Sequence, residues 1–207
     1  MKKNNKDHLY RTVFKLLLSK QSKCVTLKDI EEASGMTRGA VFYYAKNKNA
    51  LFREIVDTYF FKSKDIEDKI RILHDENIMG KNLHEFLHCY IQFIDSKMKE
   101  MEHILNMSRA EASKAYLSFI LDAQNYYPAF NDKLKEIYNA DLAIWEKVLA
   151  NAQERGEIKE YIDTQRYARI FRYFYVGLCY QTSLIEQSVD VSEMEMYFSS
   201  IYMQIKK

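Results

Sequence analysis

The sequence contains very little proline and glycine. Among 207 residues there is one Pro, at position 128, and there are five Gly. Tight turns and strand connections depend on these two residue types, so a β-sheet protein of this length needs more of them. The composition therefore predicts an all-α protein with long helices joined by short connections.

Cysteine is scarce, and long apolar runs are missing. Cys24, Cys89 and Cys179 are odd in number and far apart, which predicts small, buried, reduced side chains rather than disulfides. The longest apolar run, near residues 170–179, is interrupted by Arg172 and is too short to span a membrane. The basic N-terminus precedes no apolar signal core. We expect a cytoplasmic protein with no membrane partner.

The charge is divided unevenly along the chain. The formal net charge is +2. Residues 1–50 contain eleven Lys or Arg against four Asp or Glu, and residues 51–207 contain the other twenty against twenty-five. A basic first segment and an acidic remainder indicate that only the first segment meets a polyanion.

Helical periodicity predicts a small head followed by a larger body. A helical apolar face covers about residues 6–19. Longer helices are predicted at 48–72, 82–105, 108–126, 131–155, 163–187 and 191–206, with Gly156 as a helix stop. No flexible linker separates them. We therefore predict two directly joined domains, 1–47 and 48–207.

Two short helices in the head have clear start and stop signals. Thr26 and Asp29 have the spacing of a capping box, and Gly35 suits the left-handed end of a helix. Thr37 can cap a second short helix, and Asn47 a third. A three-residue break between two short helices predicts a helix-turn-helix. An ordinary helical hairpin has the same pattern of helices, so only the residues on the exposed face of the second helix can distinguish it from a DNA-binding helix-turn-helix.

That exposed face combines a cation, a gap and aromatic rings. With Val41 directed into the core, Gly39 and Tyr43 point outward, flanked by Arg38 and Phe42. Glycine in a helix costs about 1 kcal/mol relative to alanine, but it lets another backbone approach closely. Arg reaches guanine, a ring contacts a thymine methyl, and a phenol bonds phosphate. The pattern favours a helix that lies in the DNA major groove.

Residues 25–52 resemble the DNA-binding domain of the TetR family of bacterial transcription regulators. The matching positions are Val25-Thr26, Asp29-Ile30, Gly35, Thr37-Arg38-Gly39, Phe42-Tyr43-Tyr44, Lys48 and Leu51-Phe52. The resemblance implies base-proximal positions for Arg38, Gly39 and Phe42. It implies phosphate or sugar contacts for Tyr43 and Tyr44, a phosphate contact for Lys48, and a phosphate or capping role for Thr26 and Thr37.

Four features depart from the family pattern. Tyr44 stands where relatives often have His, and Ala45 where they usually have Phe. Glu32 replaces a small residue, and the usual glycine between the first two helices is missing. The operator sequence therefore stays open.

The last two predicted helices suggest a homodimer. Residues 167–185 are apolar or aromatic on nearly every side, which is typical of a helix buried against its own domain and a partner. A monomeric core has the same pattern. The resemblance implies a homodimer with a four-helix interface, to which we assign Phe174, Gly177, Leu178, Ile185, Met194, Phe198 and Ile201.

The body is rich in Met and aromatic side chains, which suit both a core and a pocket for irregular apolar ligands. The resemblance implies that a subset lines an effector site. The candidates are Phe86, Tyr90, Phe93, Met107, Tyr116, Phe119, Trp145 and Tyr173.

Nothing in the sequence indicates an enzyme. No nucleophile–base order, paired carboxylates or phosphate-binding loop is recognisable. His84 and His88 have metal-ligand spacing but lack a clear third ligand, so ordinary histidines are the favoured interpretation. We predict no cofactor and no metal.

The sequence therefore predicts a ligand-responsive transcriptional regulator. We expect a repressor that binds a palindromic operator in double-stranded DNA as a homodimer and is released by a small molecule. One alternative is a DNA-binding regulator controlled by a protein partner instead. Another is a helical enzyme or carrier whose basic head is incidental.

Overall fold

The structure is a computed structural model that describes residues 2–62, 75–185 and 187–207. Within these ranges it contains ten α-helices and no strand, which confirms the all-α prediction. The helices are α1 (Lys2–Ser19), α2 (Leu27–Ser34), α3 (Arg38–Tyr44), α4 (Lys48–Val56), α5 (Glu76–Met79), α6 (Leu83–Leu105), α7 (Arg109–Ala123), α8 (Phe130–Glu154), α9 (Thr164–Leu184) and α10 (Val191–Ile205).

The predicted start and stop signals of the head are confirmed. The Thr26 hydroxyl accepts a hydrogen bond from the Asp29 N–H at 3.1 Å, and the Asp29 carboxylate accepts one from the Thr26 N–H at 2.6 Å. Gly35 ends α2 with a φ of 66°. The Asn47 side chain accepts from the Ala50 N–H at 2.8 Å and starts α4. These local contacts define the short helices.

The predicted helix at 48–72 differs from the observed one. The α-helical hydrogen bonding ends at Val56, and Asp57–Phe61 form a π-helical turn. Residues 63–74 lie outside the described ranges. Two observed elements, α5 and a 3₁₀ turn at Ser22–Cys24, are not predicted from the sequence. Both are too short to show an apolar period.

A first compact unit comprises Met1–Asp65 and Ala115–Lys133. Its core is aromatic: the Phe14 ring stacks on Tyr59 with centroids 4.1 Å apart and meets the edge of Phe119 at 5.2 Å. Phe60 stacks on Phe130 at 5.5 Å. Residues from the C-terminal part of α7 and the start of α8 therefore complete the hydrophobic core around α1 and α4.

A second compact unit comprises Ile66–Lys114 and Leu134–Lys207. Trp145 of α8 is 1% exposed and stacks on Phe171 of α9 with centroids 5.2 Å apart. Phe198 of α10 and Phe86 of α6 both contact Trp145. Helices α6, α8, α9 and α10 thus share one core, centred on this tryptophan.

The predicted burial of the cysteines is wrong for two of the three side chains. Cys24 and Cys89 are exposed, and Cys179 is half-buried. Cys89 precedes Tyr90 on α6 but faces solvent, because a helix turns about 100° per residue. No helix in the described ranges has the length and apolar character needed to cross a membrane.

Candidate nucleic-acid interface and effector core

Helix α3 packs on the head through a narrow inner side. Val41 is 1% exposed, and Ala45, just after the helix, is also buried. The ring of His8 on α1 forms a hydrogen bond through Nε2 with the Ser34 carbonyl at the end of α2, at 3.1 Å. The break between α2 and α3 is thereby held against α1, which fixes the direction of α3.

The opposite side of α3 is open to solvent. Tyr43 is 68% exposed, the Arg38 side chain is 64% exposed, and Gly39 is exposed. A Cβ at Gly39 would meet no atom within 4 Å. Phe42 is half-buried on the same helix. The structure therefore brings Arg38, Gly39 and Tyr43 onto one exposed surface, with Phe42 at its margin.

Arg38 has a partner in the free protein. Its Nε donates to the Glu31 carboxylate of α2 at 2.9 Å. The Arg38 side chain is 64% exposed, so solvent screens the pair and its contribution to stability is small. The contact nevertheless holds the guanidinium at the edge of the exposed surface. Sequence reasoning missed this pairing because the two residues are on different helices.

The remaining predicted DNA contacts have structural partners as well. The Lys48 ammonium donates to the Val25 carbonyl at 2.8 Å and lies 5.4 Å from the Phe52 ring centroid. The Thr37 hydroxyl accepts from the Ala40 N–H at 3.4 Å and caps α3. Tyr44 is half-buried, with its ring edge-on to Tyr43 at 5.1 Å. Thr26 caps α2, as described above.

The capping carboxylate of α2 also receives a cation. The Lys20 ammonium lies 2.8 Å from Asp29, and its hydrogen bond, followed by those from Thr26, lowers the pKa of Asp29 well below its usual value. Ionised Asp29 therefore contacts Lys20 and Thr26, which lie at the two ends of the connection between α1 and α2. The basic head uses part of its charge internally.

Residues 23–55 match the family model for bacterial regulatory proteins of the tetR family. The matched segment contains α2, α3 and all but the last residue of α4. The match includes all eight predicted DNA-contact positions, and it confirms the resemblance seen in the sequence. No curated protein matches the chain by sequence.

Solved structures, several of them named as TetR-family transcriptional regulators, share the fold over nearly the whole chain. The SmeT–triclosan complex superposes with a TM-score of 0.69 at 18% identity, covering 99% of this chain and 92% of the other. NalD from Pseudomonas aeruginosa, the secondary repressor of an efflux pump, gives 0.66 at 14% identity, covering 100% and 99%. FadR from Bacillus subtilis, bound to stearoyl-CoA, gives 0.58 at 15% identity, covering 95% of each chain. At these identities the likeness concerns the fold.

Helices α9 and α10 present an apolar surface to solvent in the single chain. On α9 the exposed apolar positions recur every three or four residues, and so lie on one helix face. This α9–α10 face comprises Ile170, Tyr173, Val176, Tyr180, Leu184 and Ile185 of α9 and its end, with Met196, Tyr197 and Met203 of α10.

The predicted interface residues divide into two groups. Gly177 and Ile185 are exposed, and Phe174, Leu178 and Ile201 are half-buried. Met194 and Phe198, in contrast, are 0% and 1% exposed and pack inside their own chain's core. Both belong to the apolar stripe of α10, which has a buried side and an exposed side. A second copy would meet the exposed side.

The predicted effector residues are also divided. Phe86, Tyr90 and Trp145 contact one another in the core of the second unit. Phe93 and Tyr173 are 57% and 58% exposed, and Met107 is half-buried. Tyr116 and Phe119 belong to the first unit, where Phe119 contacts Phe14 and Tyr116 donates to the Tyr59 carbonyl at 3.3 Å. The eight residues are therefore divided between the two units, and those of the second unit lie partly in its core and partly at its surface.

A polar group borders the Trp145 core, and sequence reasoning missed most of it. The Tyr90 and Tyr175 rings meet edge-on at 5.9 Å. Burial, followed by the nearby charge of Asp141, raises the pKa of Tyr90, and burial raises the pKa of Tyr175 well above its usual value. Both phenols therefore stay neutral hydrogen-bonding groups. Arg172 also belongs to this group, beside the Tyr138 ring.

The histidines have ordinary contacts. The His84 ring lies 5.6 Å from the Tyr202 ring, and His88 contacts Gln92 and Glu195. Throughout the described part of the chain, no three His, Cys, Asp or Glu side chains are grouped to hold a metal ion.

Proposed function

We propose that the protein is a ligand-responsive transcriptional repressor that binds a palindromic operator as a homodimer. One observation carries the proposal: a TetR-family domain presents Arg38, Gly39 and Tyr43 together on the solvent side of α3. A short helix that carries an exposed cation, an exposed ring and a glycine on the same side suits close contact with the floor of the major groove.

In this proposal α3 contacts the bases of the operator, and residues at its exposed side and at the start of α4 contact the DNA phosphates. Arg38 donates to guanine O6 and N7, and Gly39 allows the helix to approach the bases. Tyr43 bonds phosphate, and Lys48 adds a positive charge at the start of α4. Since Lys48 already donates to Val25, we assign it to orienting α4 as well as to attracting phosphate.

The proposed homodimer uses the α9–α10 face. A seven-residue helix contacts only a few base pairs, so a single head gives little discrimination. Two heads related by two-fold symmetry read two half-sites, which explains a palindromic operator. An apolar surface of this kind is typical of such an interface.

The proposed effector binds the body and releases the operator. SmeT is seen with triclosan and FadR with stearoyl-CoA, which supports small-molecule binding by proteins of this fold. The effector must bind the conformation that releases DNA more tightly than the conformation that binds DNA. A ligand with equal affinity for both does not shift the equilibrium between them. A protein that binds the operator equally with and without effector, at matched salt, contradicts this mechanism.

Operator selection from a random DNA pool, followed by titration, tests the proposal. Arg38→Gln removes the guanine donor, and we expect operator affinity to fall by about 1–3 kcal/mol, with relaxed preference at one base pair of each half-site. The control is Lys15→Gln, an exposed cation on α1. An Arg38→Gln protein that is folded and selects the same sequence with unchanged affinity refutes the DNA-reading role of α3.

A further inference from the structure

Arg172 of α9 is the one charged side chain that is buried in the described part of the chain. It is 8% exposed, whereas the other buried polar residues there are Ser22, Ser34, Thr182 and Ser183. A buried guanidinium keeps its charge at any pH at which the protein folds. Burial therefore costs free energy unless the charge is paired and hydrogen-bonded.

Within the described residues, this compensation is missing at one nitrogen of the guanidinium. Its Nε is buried and has no hydrogen-bond partner there. Arg109 of the same unit shows how such a charge is usually paired. Although Arg109 is more exposed, its guanidinium forms ion pairs with the carboxylates of Asp95 at 3.0 Å and Glu102 at 3.3 Å. The Nε of Arg172 has no such partner among the same residues. Buried donors without a hydrogen-bond partner are rare in native proteins, so the unpartnered Nε of Arg172 requires an explanation.

The surroundings of Arg172 are aromatic. The guanidinium carbon lies 4.4 Å from the centroid of the Tyr138 ring on α8 and 5.9 Å from that of Tyr173. These rings stabilise the cation from its faces, but they do not accept a hydrogen bond from the buried Nε–H, which lies in the plane of the guanidinium. Asp141 is the nearby carboxylate that acts on Tyr90 and Tyr138. The positive charge of Arg172 acts on the same two phenols.

We propose that Arg172 binds the acidic group of a small aromatic effector, with the ring of Tyr138 beside it. This inference rests on the proposed function, since it names the chemical class of the effector. A planar guanidinium matches a carboxylate in shape and charge, and two parallel N–H···O bonds satisfy both groups. A neutral ligand of the same shape leaves the buried charge unpaired.

Benzoate is the probe, and benzamide is its neutral isostere. We expect benzoate to bind the full-length protein with a Kd on the order of 1 mM, as suits so small a molecule. Benzamide is expected to bind at least about ten-fold more weakly, because it lacks the charge. Isothermal titration at fixed salt measures both, and the change in the midpoint of thermal unfolding gives a second readout.

Substitutions at Arg172 locate the binding. In Arg172→Gln we expect benzoate affinity to fall at least about ten-fold, with the difference between benzoate and benzamide lost. Arg172→Lys keeps a charge without the planar fork and is expected to lose most of the affinity, and it replaces Arg172→Gln if that variant does not fold. The control is Arg169→Gln, an exposed position on the same helix, which should bind as the wild type does.

Three results overturn the inference: equal binding of benzoate and benzamide, unchanged benzoate binding in folded Arg172 variants, or no benzoate binding at about 10 mM. In each case an ordered water or another partner satisfies Arg172. Operator binding, measured on the same samples, separates this failure from the failure of the proposed function. A protein that binds its operator but ignores benzoate keeps its regulatory role with another class of effector.

Discussion

At the scale of single residues, Gly39 shows a conflict between stability and the proposed use of α3. Nothing in the free protein occupies the space that a side chain would fill at this position. Its backbone also lies outside the left-handed region, since no positive φ is found there, in contrast to Gly35 with 66°. The fold therefore gives no reason for glycine at position 39.

We predict that Gly39→Ala stabilises the free protein and weakens operator binding. Alanine improves helix propensity by about 0.5–1 kcal/mol. The added methyl group would separate α3 from the bases, so we expect about ten-fold weaker operator binding. Chemical denaturation and DNA titration measure the two effects.

Gly35→Ala is the contrasting variant, because alanine at a positive φ is strained and should destabilise the protein. If Gly39→Ala is more stable and also binds the operator as tightly as the wild type, α3 does not approach DNA closely at that point.

At the scale of helices, Glu157 connects three elements of the second unit. Its carboxylate accepts hydrogen bonds from the Leu83 N–H at 2.8 and 2.9 Å, at the start of α6. It also accepts one from the Tyr202 hydroxyl of α10 at 3.1 Å. A carboxylate at this place satisfies a free backbone donor and complements the positive end of the helix dipole. The residue itself follows α8, beyond Gly156.

We predict that Glu157→Ala lowers the free energy of unfolding by about 2 kcal/mol, because the Leu83 N–H and the Tyr202 hydroxyl lose their partner together. Urea denaturation measures the change. Glu160→Ala is the matched control: its side chain is 85% exposed and its pair with Lys207 is 3.4 Å long. We expect that variant to stay within about 0.5 kcal/mol of the wild type. Equal losses in the two variants contradict the role given to Glu157.

At the scale of the whole molecule, the α9–α10 face has the properties of a surface that another chain covers. Tyr180 is 53% exposed and Val176 is 40% exposed, one turn apart on α9. Gly177 lies between them in sequence, and a Cβ there would meet nothing within 4 Å in the single chain. A helix from a second copy therefore finds both apolar contacts and room for a close approach.

We predict that Tyr180→Glu converts the proposed homodimer to a monomer, because a charge buried at an apolar interface has no partner. Sedimentation velocity measures the oligomeric state, and operator affinity should fall in parallel. Tyr161→Glu is the control, since Tyr161 is 80% exposed and lies before α9. A Tyr180→Glu protein that sediments as the wild type does, at the same concentration, excludes this face as the interface.

Local interactions determined most of what the sequence predicted correctly. The Thr26–Asp29 capping box, the break at Gly35 and the caps at Thr37 and Asn47 all involve residues at most a few positions apart. The exposed side of α3 follows from the same short range, because one buried position, Val41, sets the direction of every other side chain on a seven-residue helix. The sequence alone therefore predicted the head and its proposed DNA-contact face.

Only the tertiary structure decided which apolar side chains of the body are core and which are surface. Phe198 and Tyr197 are neighbours with similar apolar character, yet Phe198 packs on Trp145 and Tyr197 is 41% exposed. The burial of Arg172 was also decided by the tertiary structure, since in the sequence this residue only marks a break in an apolar run. Burial depends on what packs against a residue from distant parts of the chain, and helical periodicity does not encode that information.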